Sequence, residues 1–364
     1  MKKRILFLAN HFITLFSFRR ELIQQLVNSG YDVYLSIPTD DQNCFFADMG
    51  CTILETNMSR RGMNPLQDFK LVLQYRKMLR RVKPNIVFSY TVKPNIYGCL
   101  ASHCLGYRQI CNVTGTGATF LKESILSKIV RMLYRFSFRK AYKVFFQNAG
   151  DRDYFLKYGL VKSNYHMLPG SGVNLDQHIF SEIPPDDIVN FIFVGRVMGV
   201  KGIAQYLDCA KTIRQDRPNT CFYIAGFHEE EKYQKMVEEY HKAGYVNYIG
   251  FQKNIDEWIE RCHCTILPSL GGEGVPNVLL ESAAVGRACI ASDISGSRDV
   301  IDDGVTGYLF ETGSSQSLIE KVNRFLELPL EEKRAMGRAG RRKVEQSFDR
   351  KIVMDRYQEE VAKV

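Results

Sequence analysis

"HMLPGSGVNLDQHIFSEIPPDD", residues 166–187, interrupts an otherwise regular chain with Pro169, Gly170, Gly172, Pro184 and Pro185. Such a cluster of helix and strand breakers predicts a linker. On each side of it the same pattern runs. Before it, short apolar runs such as "RILFLAN", "YDVYLSIP", "PNIVFSY" and "RQICNVTG" alternate with helical patterns such as "FRRELIQQLVNSG" and "NPLQDFKLVLQYRKMLRRVK". After it, "NFIFVGR", "TCFYIAG", "VNYIGF", "CTILPS" and "ACIASD" alternate with "GIAQYLDCAKTIRQD", "EEKYQKMVEEYHKAG" and "PNVLLESAAVG". Alternation of this kind predicts parallel, doubly wound sheets. The expectation is an α/β chain of two Rossmann-like domains facing each other across a cleft, residues 1–168 and 169–348. A length of 364 residues also favours two cores over one. The chain ends in helical patterns, and the last, about residues 349–364, is expected to pack back on the first domain.

Composition narrows the function. No apolar run approaches the 18 or so residues of a membrane span. The N-terminal "MKKRILFLAN" imitates a signal peptide, but its apolar part is too short. The protein is therefore expected in the cytoplasm. Ten scattered cysteines without a C-x-x-C pair suit a reducing compartment. "CHC" at Cys262, His263 and Cys264 lacks a second cluster to complete a metal site. Net charge is +9, unevenly spread. Residues 1–170 carry 25 Lys/Arg against 10 Asp/Glu, net +15, and residues 171–364 carry 24 against 30, net −6. The basic half implies an anionic partner. Residues 120–143 combine cations with apolar residues, one stripe apolar and another cationic at helical spacing, and residues 75–83 add cations. The pattern suits a basic amphipathic helix on an anionic membrane surface, or equally a sheet-covering helix with a solvated basic face. No nucleic-acid recognition motif is present.

Open α/β sheets bind ligands beyond the carboxyl ends of their strands. "GRVMGVKG" and "GGEGVPN" lie at two such ends, with "VTGTGATF" at a third. In "GGEGVPNVLLESAAVG", residues 271–286, Pro276 suits a first helical turn. The free N–H groups around Asn277 and Val278 make an anion site. Glu281, about one turn in, can accept two ribose hydroxyls, and Glu273 can accept from a second polyol. Two hydroxyl-bearing ends and an anionic middle describe a nucleotide-diphosphate sugar; solvated charges are the plainer alternative. Arg196 and Lys201 would stabilise charge on a departing diphosphate. A P-loop is excluded by its missing lysine motif. No acid/base carboxylate pair or Ser-His-Asp set is evident.

Together these residues resemble glycosyltransferase family 4 of the GT-B architecture. "EGVPNVLLE" matches the family's E-x7-E pattern, and "VGR…KG" and "SGSRDVIDDGVTGYLF" are further matches. "SYTVKPNIYG" and "NVTGTGATF" resemble the subgroup that builds lipid-linked bacterial surface polysaccharides. The resemblance implies a retaining hexosyltransferase that needs no metal. It would move a sugar, N-acetylhexosamine or galactose, from a UDP-sugar donor to a polyprenyl-diphosphate-linked glycan. Glu281 would hold the ribose, and Glu273 the donor sugar with the main chain of Gly274, Val275, Pro276 and Asn277. Arg196 and Lys201 would hold the diphosphate, and Gly195 and Val278 complete the donor set. The sequence departs from the family where relatives carry a histidine. It reads Thr114-Gly115-Thr116, whose hydroxyls and backbone would contact the donor unless His11 or His103 substitutes. Asp299 is a further candidate. Competing readings are an epimerase or phosphorylase of the same fold, or a non-catalytic binding protein.

Overall fold

The computed structural model describes residues 2–58, 64–117, 120 and 123–364. It forms two compact units, Met1–Ser171 with Val353–Val364, and Gly172–Ile352. The first holds a seven-stranded parallel sheet: β1 (Arg4–Leu8), β2 (Asp32–Ile37), β3 (Thr52–Glu55), β4 (Ile86–Tyr90), β5 (Gln109–Val113), β6 (Lys143–Phe146) and β7 (Tyr165–Met167). Their order is β3-β2-β1-β4-β5-β6-β7. The second holds β8 (Val189–Val194), β9 (Thr220–Ala225), β10 (Asn247–Gly250), β11 (Cys264–Leu267), β12 (Ala288–Ser292) and β13 (Gly307–Phe310). Their order is β10-β9-β8-β11-β12-β13. Both are doubly wound, with strand order reversing between β1 and β4 and between β8 and β11. The expected α/β class with two Rossmann-like domains is met.

The central strands are continuous apolar runs because helices cover both faces. Ile5, Leu6, Phe7 and Leu8 of β1 are fully buried, as are Phe191, Ile192 and Phe193 of β8. Helix ends follow local chemistry. Asn64 caps the helix Pro65–Val82 by accepting from the amides of Leu66 and Gln67, and Lys83 ends it in the left-handed region before Pro84.

The opening stretch is not all linker. His166 and Met167 belong to β7, which pairs with Phe145 and Phe146 of β6. Three residues are too few for a visible alternation, and only the neighbouring strand reveals them. The helix Ala149–Lys157, capped by Asn148, is likewise weakly patterned along the chain.

The final helix, Arg350–Ala362, starts in the second unit and ends in the first. Within the first unit Tyr357 is fully buried, and its hydroxyl bonds Asn112. The Arg19 guanidinium lies 5.0 Å from the Tyr90 ring and 5.3 Å from the Tyr357 ring. Lys143 reaches Glu360 at 2.6 Å.

Candidate active site

The switch point of the second sheet joins the loops after β8 and β11. The Leu270 amide donates to the Val200 carbonyl at 2.9 Å, and Ser269 Oγ reaches the same oxygen at 3.3 Å. Gly202 has φ +72°, and a Cβ there would lie 1.8 Å from the Pro268 carbonyl oxygen. Only glycine permits that approach. The stitching brings Lys201 to Glu273, whose ammonium and carboxylate form an ion pair, each side chain less than one-fifth exposed. Ser269 Oγ donates to the same carboxylate at 2.8 Å. Ser269 was not anticipated, since a lone serine after a strand carries no signal.

Beyond Glu273, Gly274, Val275 and Pro276 are buried. A Cβ on Gly296 would meet the Gly274 carbonyl oxygen at 1.7 Å, so the loop is pressed against the turn of Ser295–Val300. The helix Asn277–Val285 begins after Pro276, which is the N-cap and not, as expected, a residue of the first turn. Among the described residues no side chain caps this terminus. Its first amides, including those of Asn277 and Val278, have no carbonyl one turn back, and the helix dipole favours an anion there. Asn277 Oδ1 is buried without a partner among the described residues. Gly286, φ +89°, closes the helix.

Glu281 sits one turn into this helix, partly exposed, with its carboxyl end desolvated. Burial pushes it above the ordinary carboxylate range; His178 and Arg350 oppose that rise, and Asp256 adds to it. His178 Nδ1 and Asp256 Oδ1 are 2.8 Å apart and buried.

Two further loops extend the same strand end. The Gly195 amide donates to the carbonyl of Ala225, the last residue of β9, and that of Val197 to Phe227 just beyond it. Gly226 in turn donates to Gly250 at the end of β10. Phe227 and Phe251 stack there, ring centroids 4.3 Å apart and planes 12° from parallel, each more than half exposed. This aromatic pair was also missed, because its rings meet only through the zipped loops. Arg196 takes a different partner from Lys201. It is half exposed, with Nη1 3.5 Å from Glu229 Oε2.

Thr114, Gly115 and Thr116 follow β5 in the first unit, with Gly115 at φ +115°. Within that motif Ala118 and Thr119 lie outside the described residues. His11 Nδ1 accepts from the Ile13 amide as the N-cap of Phe12–Asn28, and His103 is an exposed residue of Cys99–Cys104. Asp299 lies in the Ser295–Val300 turn. His263 is fully buried, with Nδ1 accepting from the Asn190 amide and Nε2 bonded to the Pro185 carbonyl. Burial lowers its pKa to about 4 and raises the Cys262 and Cys264 thiols.

The first unit carries a different surface. On the helix Ile125–Phe138, Val130, Tyr134 and Phe138 are buried, while Ile125, Ile129, Met132 and Phe136 form a second, exposed stripe. The expectation of one apolar stripe is corrected: the helix has an apolar face inward and another outward, with Lys128, Arg135 and Arg139 between them. Leu66, Phe69 and Leu73 make a similar exposed stripe on Pro65–Val82. Both helices pack on the segment Pro94–Cys104. Among the described residues no helix is long and apolar enough to cross a membrane.

A glycosyl transferase 4-like model matches residues 4–148, and a glycosyl transferases group 1 model matches residues 176–343. The chain is 26% identical over 344 residues to N,N'-diacetylbacillosaminyl-diphospho-undecaprenol alpha-1,3-N-acetylgalactosaminyltransferase of Campylobacter jejuni, covering 89% of each. It is 25% identical to UDP-Gal:alpha-D-GlcNAc-diphosphoundecaprenol alpha-1,3-galactosyltransferase of Escherichia coli, covering 72% of each. In fold it is similar to Anabaena Alr3699/HepE, crystallised with UDP and glucose, at a TM-score of 0.80 and 16% identity over the full length of both.

Proposed function

The chain belongs to the GT-B glycosyltransferases whose two halves the 4-like and group 1 models describe, and from that premise we propose that it transfers an N-acetylhexosamine or galactose from a UDP-sugar to a polyprenyl-diphosphate-linked glycan, with retention, in the assembly of bacterial surface polysaccharide or glycoprotein glycan. The observation that carries this reading is the switch point of the second sheet. There one ion pair, Lys201 with Glu273, lies on the loops that precede an uncapped helix N-terminus, with Glu281 one turn further in. Glu281 accepts the ribose hydroxyls. The amides of Asn277 and Val278 and the Lys201 ammonium receive the diphosphate, which leaves as charge develops on it. Glu273 and the main chain of Gly274 to Pro276 orient the donor sugar. The Phe227–Phe251 pair offers an aromatic face to the uracil ring. Arg196, paired with Glu229, serves the diphosphate after a change of rotamer. Retention follows from attack on the face the diphosphate leaves, with the leaving phosphate oxygen taking the acceptor proton. This requires no second carboxylate. The acceptor class is that printed in the names of the Campylobacter and Escherichia relatives.

The exposed stripes of Pro65–Val82 and Ile125–Phe138, flanked by cations, suit a monotopic contact with an anionic bilayer at its cytoplasmic face. That would bring the enzyme to a lipid-linked acceptor.

The test is a thermal-shift panel of UDP-, GDP-, ADP- and dTDP-sugars on wild type and Glu281→Ala. A ligand that binds only the native state raises its melting temperature. A shift given by UDP-sugars and lost in the variant is expected. Absence of a shift with every nucleotide sugar would defeat the reading.

A further inference from the structure

The first unit contains a cavity of about 420 Å³ that the donor site does not use. Its polar lining is Asn57, Gln67, Asp68, Lys70, Gln74 and Lys93. Asn57 follows β3 and Lys93 follows β4, so the cavity opens at the carboxyl ends of the strands, where doubly wound sheets take ligands. Three local features mark the place. Lys93 Nζ and Asp68 Oδ1 form an ion pair at 2.9 Å, with side chains 14% and 8% exposed. Burying such a pair adds little to stability and requires another reason. Thr91, two residues before Lys93, has φ +70°, a costly conformation for a β-branched side chain. Its Oγ1 is buried without a partner among the described residues. The chain then enters a π-helical turn, Pro94–Gly98, a form concentrated at functional sites.

The helix Pro65–Val82 joins this cavity to the exposed apolar stripe. At 100° per residue, Lys70, Gln74 and Gln67 lie on the cavity side directly beside Leu66, Phe69 and Leu73. Carboxamides and a carboxylate suit sugar hydroxyls, ammonium groups suit phosphate, and the adjoining apolar side chains suit a lipid.

We propose that this cavity receives the sugar-diphosphate head of the lipid-linked acceptor, with the phosphates on Lys93 and Lys70 and the sugar hydroxyls on Asp68. The Leu66, Phe69 and Leu73 stripe lies along the polyprenyl chain where it enters the bilayer. The assignment rests on the glycosyltransferase reading above and adds a residue-level acceptor site to it.

The experiment titrates farnesyl-diphosphate-linked N-acetylglucosamine into the full chain by calorimetry, with saturating UDP occupying the donor site. Lys93→Ala and, separately, the exposed Lys70→Ala should each weaken binding roughly tenfold or more, the size of a lost charged hydrogen bond. Their UDP-induced rise in melting temperature should equal that of wild type. Lys70→Ala protects the test against a folding defect from stranding Asp68. A normal UDP shift with no binding of the probe, or with affinity insensitive to both lysines, removes the cavity assignment alone. No UDP shift in wild type removes the UDP-sugar donor reading and the cavity assignment with it.

Discussion

Glu281 holds its carboxyl in a desolvated place, and that has opposite consequences for folding and for binding. Its folded pKa lies above the unfolded value, because burial penalises the charged form. The folded state therefore binds its proton more tightly. The penalty is absent below the unfolded pKa and is felt as pH rises through the folded one. Glu281→Gln should raise the melting temperature of the ligand-free protein at pH 7, and the difference should vanish as pH is lowered toward 4.5. The same variant should lose its UDP-sugar shift. A variant no more stable than wild type at pH 7 would contradict the burial argument. Lys201 and Glu273 make the complementary case, since the proposed mechanism puts their contact where charge moves during transfer. Lys201→Ala and Glu273→Gln should each reduce turnover by roughly 10²-fold or more, the size of a lost transition-state contact. Turnover unchanged in both would reject the site.

Among the elements, the loop after β8 depends on one backbone conformation. Gly202 lies against the Pro268 carbonyl, and no side chain fits between them. Gly202→Ala should separate the loops after β8 and β11 and carry Lys201 away from Glu273. Turnover should fall while the far-UV circular dichroism stays that of wild type; full activity would show the close approach to be incidental. The helix Ile125–Phe138 is used on both faces, inward by Tyr134 and Phe138 and outward by Met132 and Phe136. Liposomes containing anionic lipid should bind the protein, and salt should weaken that binding. Phe69→Ser with Phe136→Ser should weaken it roughly tenfold or more, since each ring gains 1.5–3 kcal/mol or so on burial. Sedimentation that ignores both lipid charge and the two substitutions would remove the membrane contact.

At the scale of the molecule, the chain leaves the first unit at Ser171, builds the second and returns at Val353. Its last residues complete the first unit's core. Val353, Tyr357 and Val361 are buried there, and Tyr357 stands between Phe88, Phe145 and Arg19. Tyr357→Ala should cost about 3–5 kcal/mol, as for other buried aromatic truncations, read as a lower urea midpoint. A loss under 1 kcal/mol or so would mean the segment is only docked.

Periodicity along the chain was enough for the two α/β series, for the strand ends where doubly wound sheets take ligands, and for Glu273, Glu281 and Lys201 as polar groups there. It suffices because buried parallel strands and their covering helices write their burial directly into residue order. The stitching of Lys201 to Glu273, the service of Ser269, the stacking of Phe227 on Phe251 and the pairing of Arg196 with Glu229 were decided by tertiary structure. Each joins residues from different strand ends, and local pattern has no means to measure a distance across a sheet. The same holds for the two-faced helix Ile125–Phe138: its sequence shows that it is apolar and basic, and only the packing of its neighbours determines which apolar face is left outside.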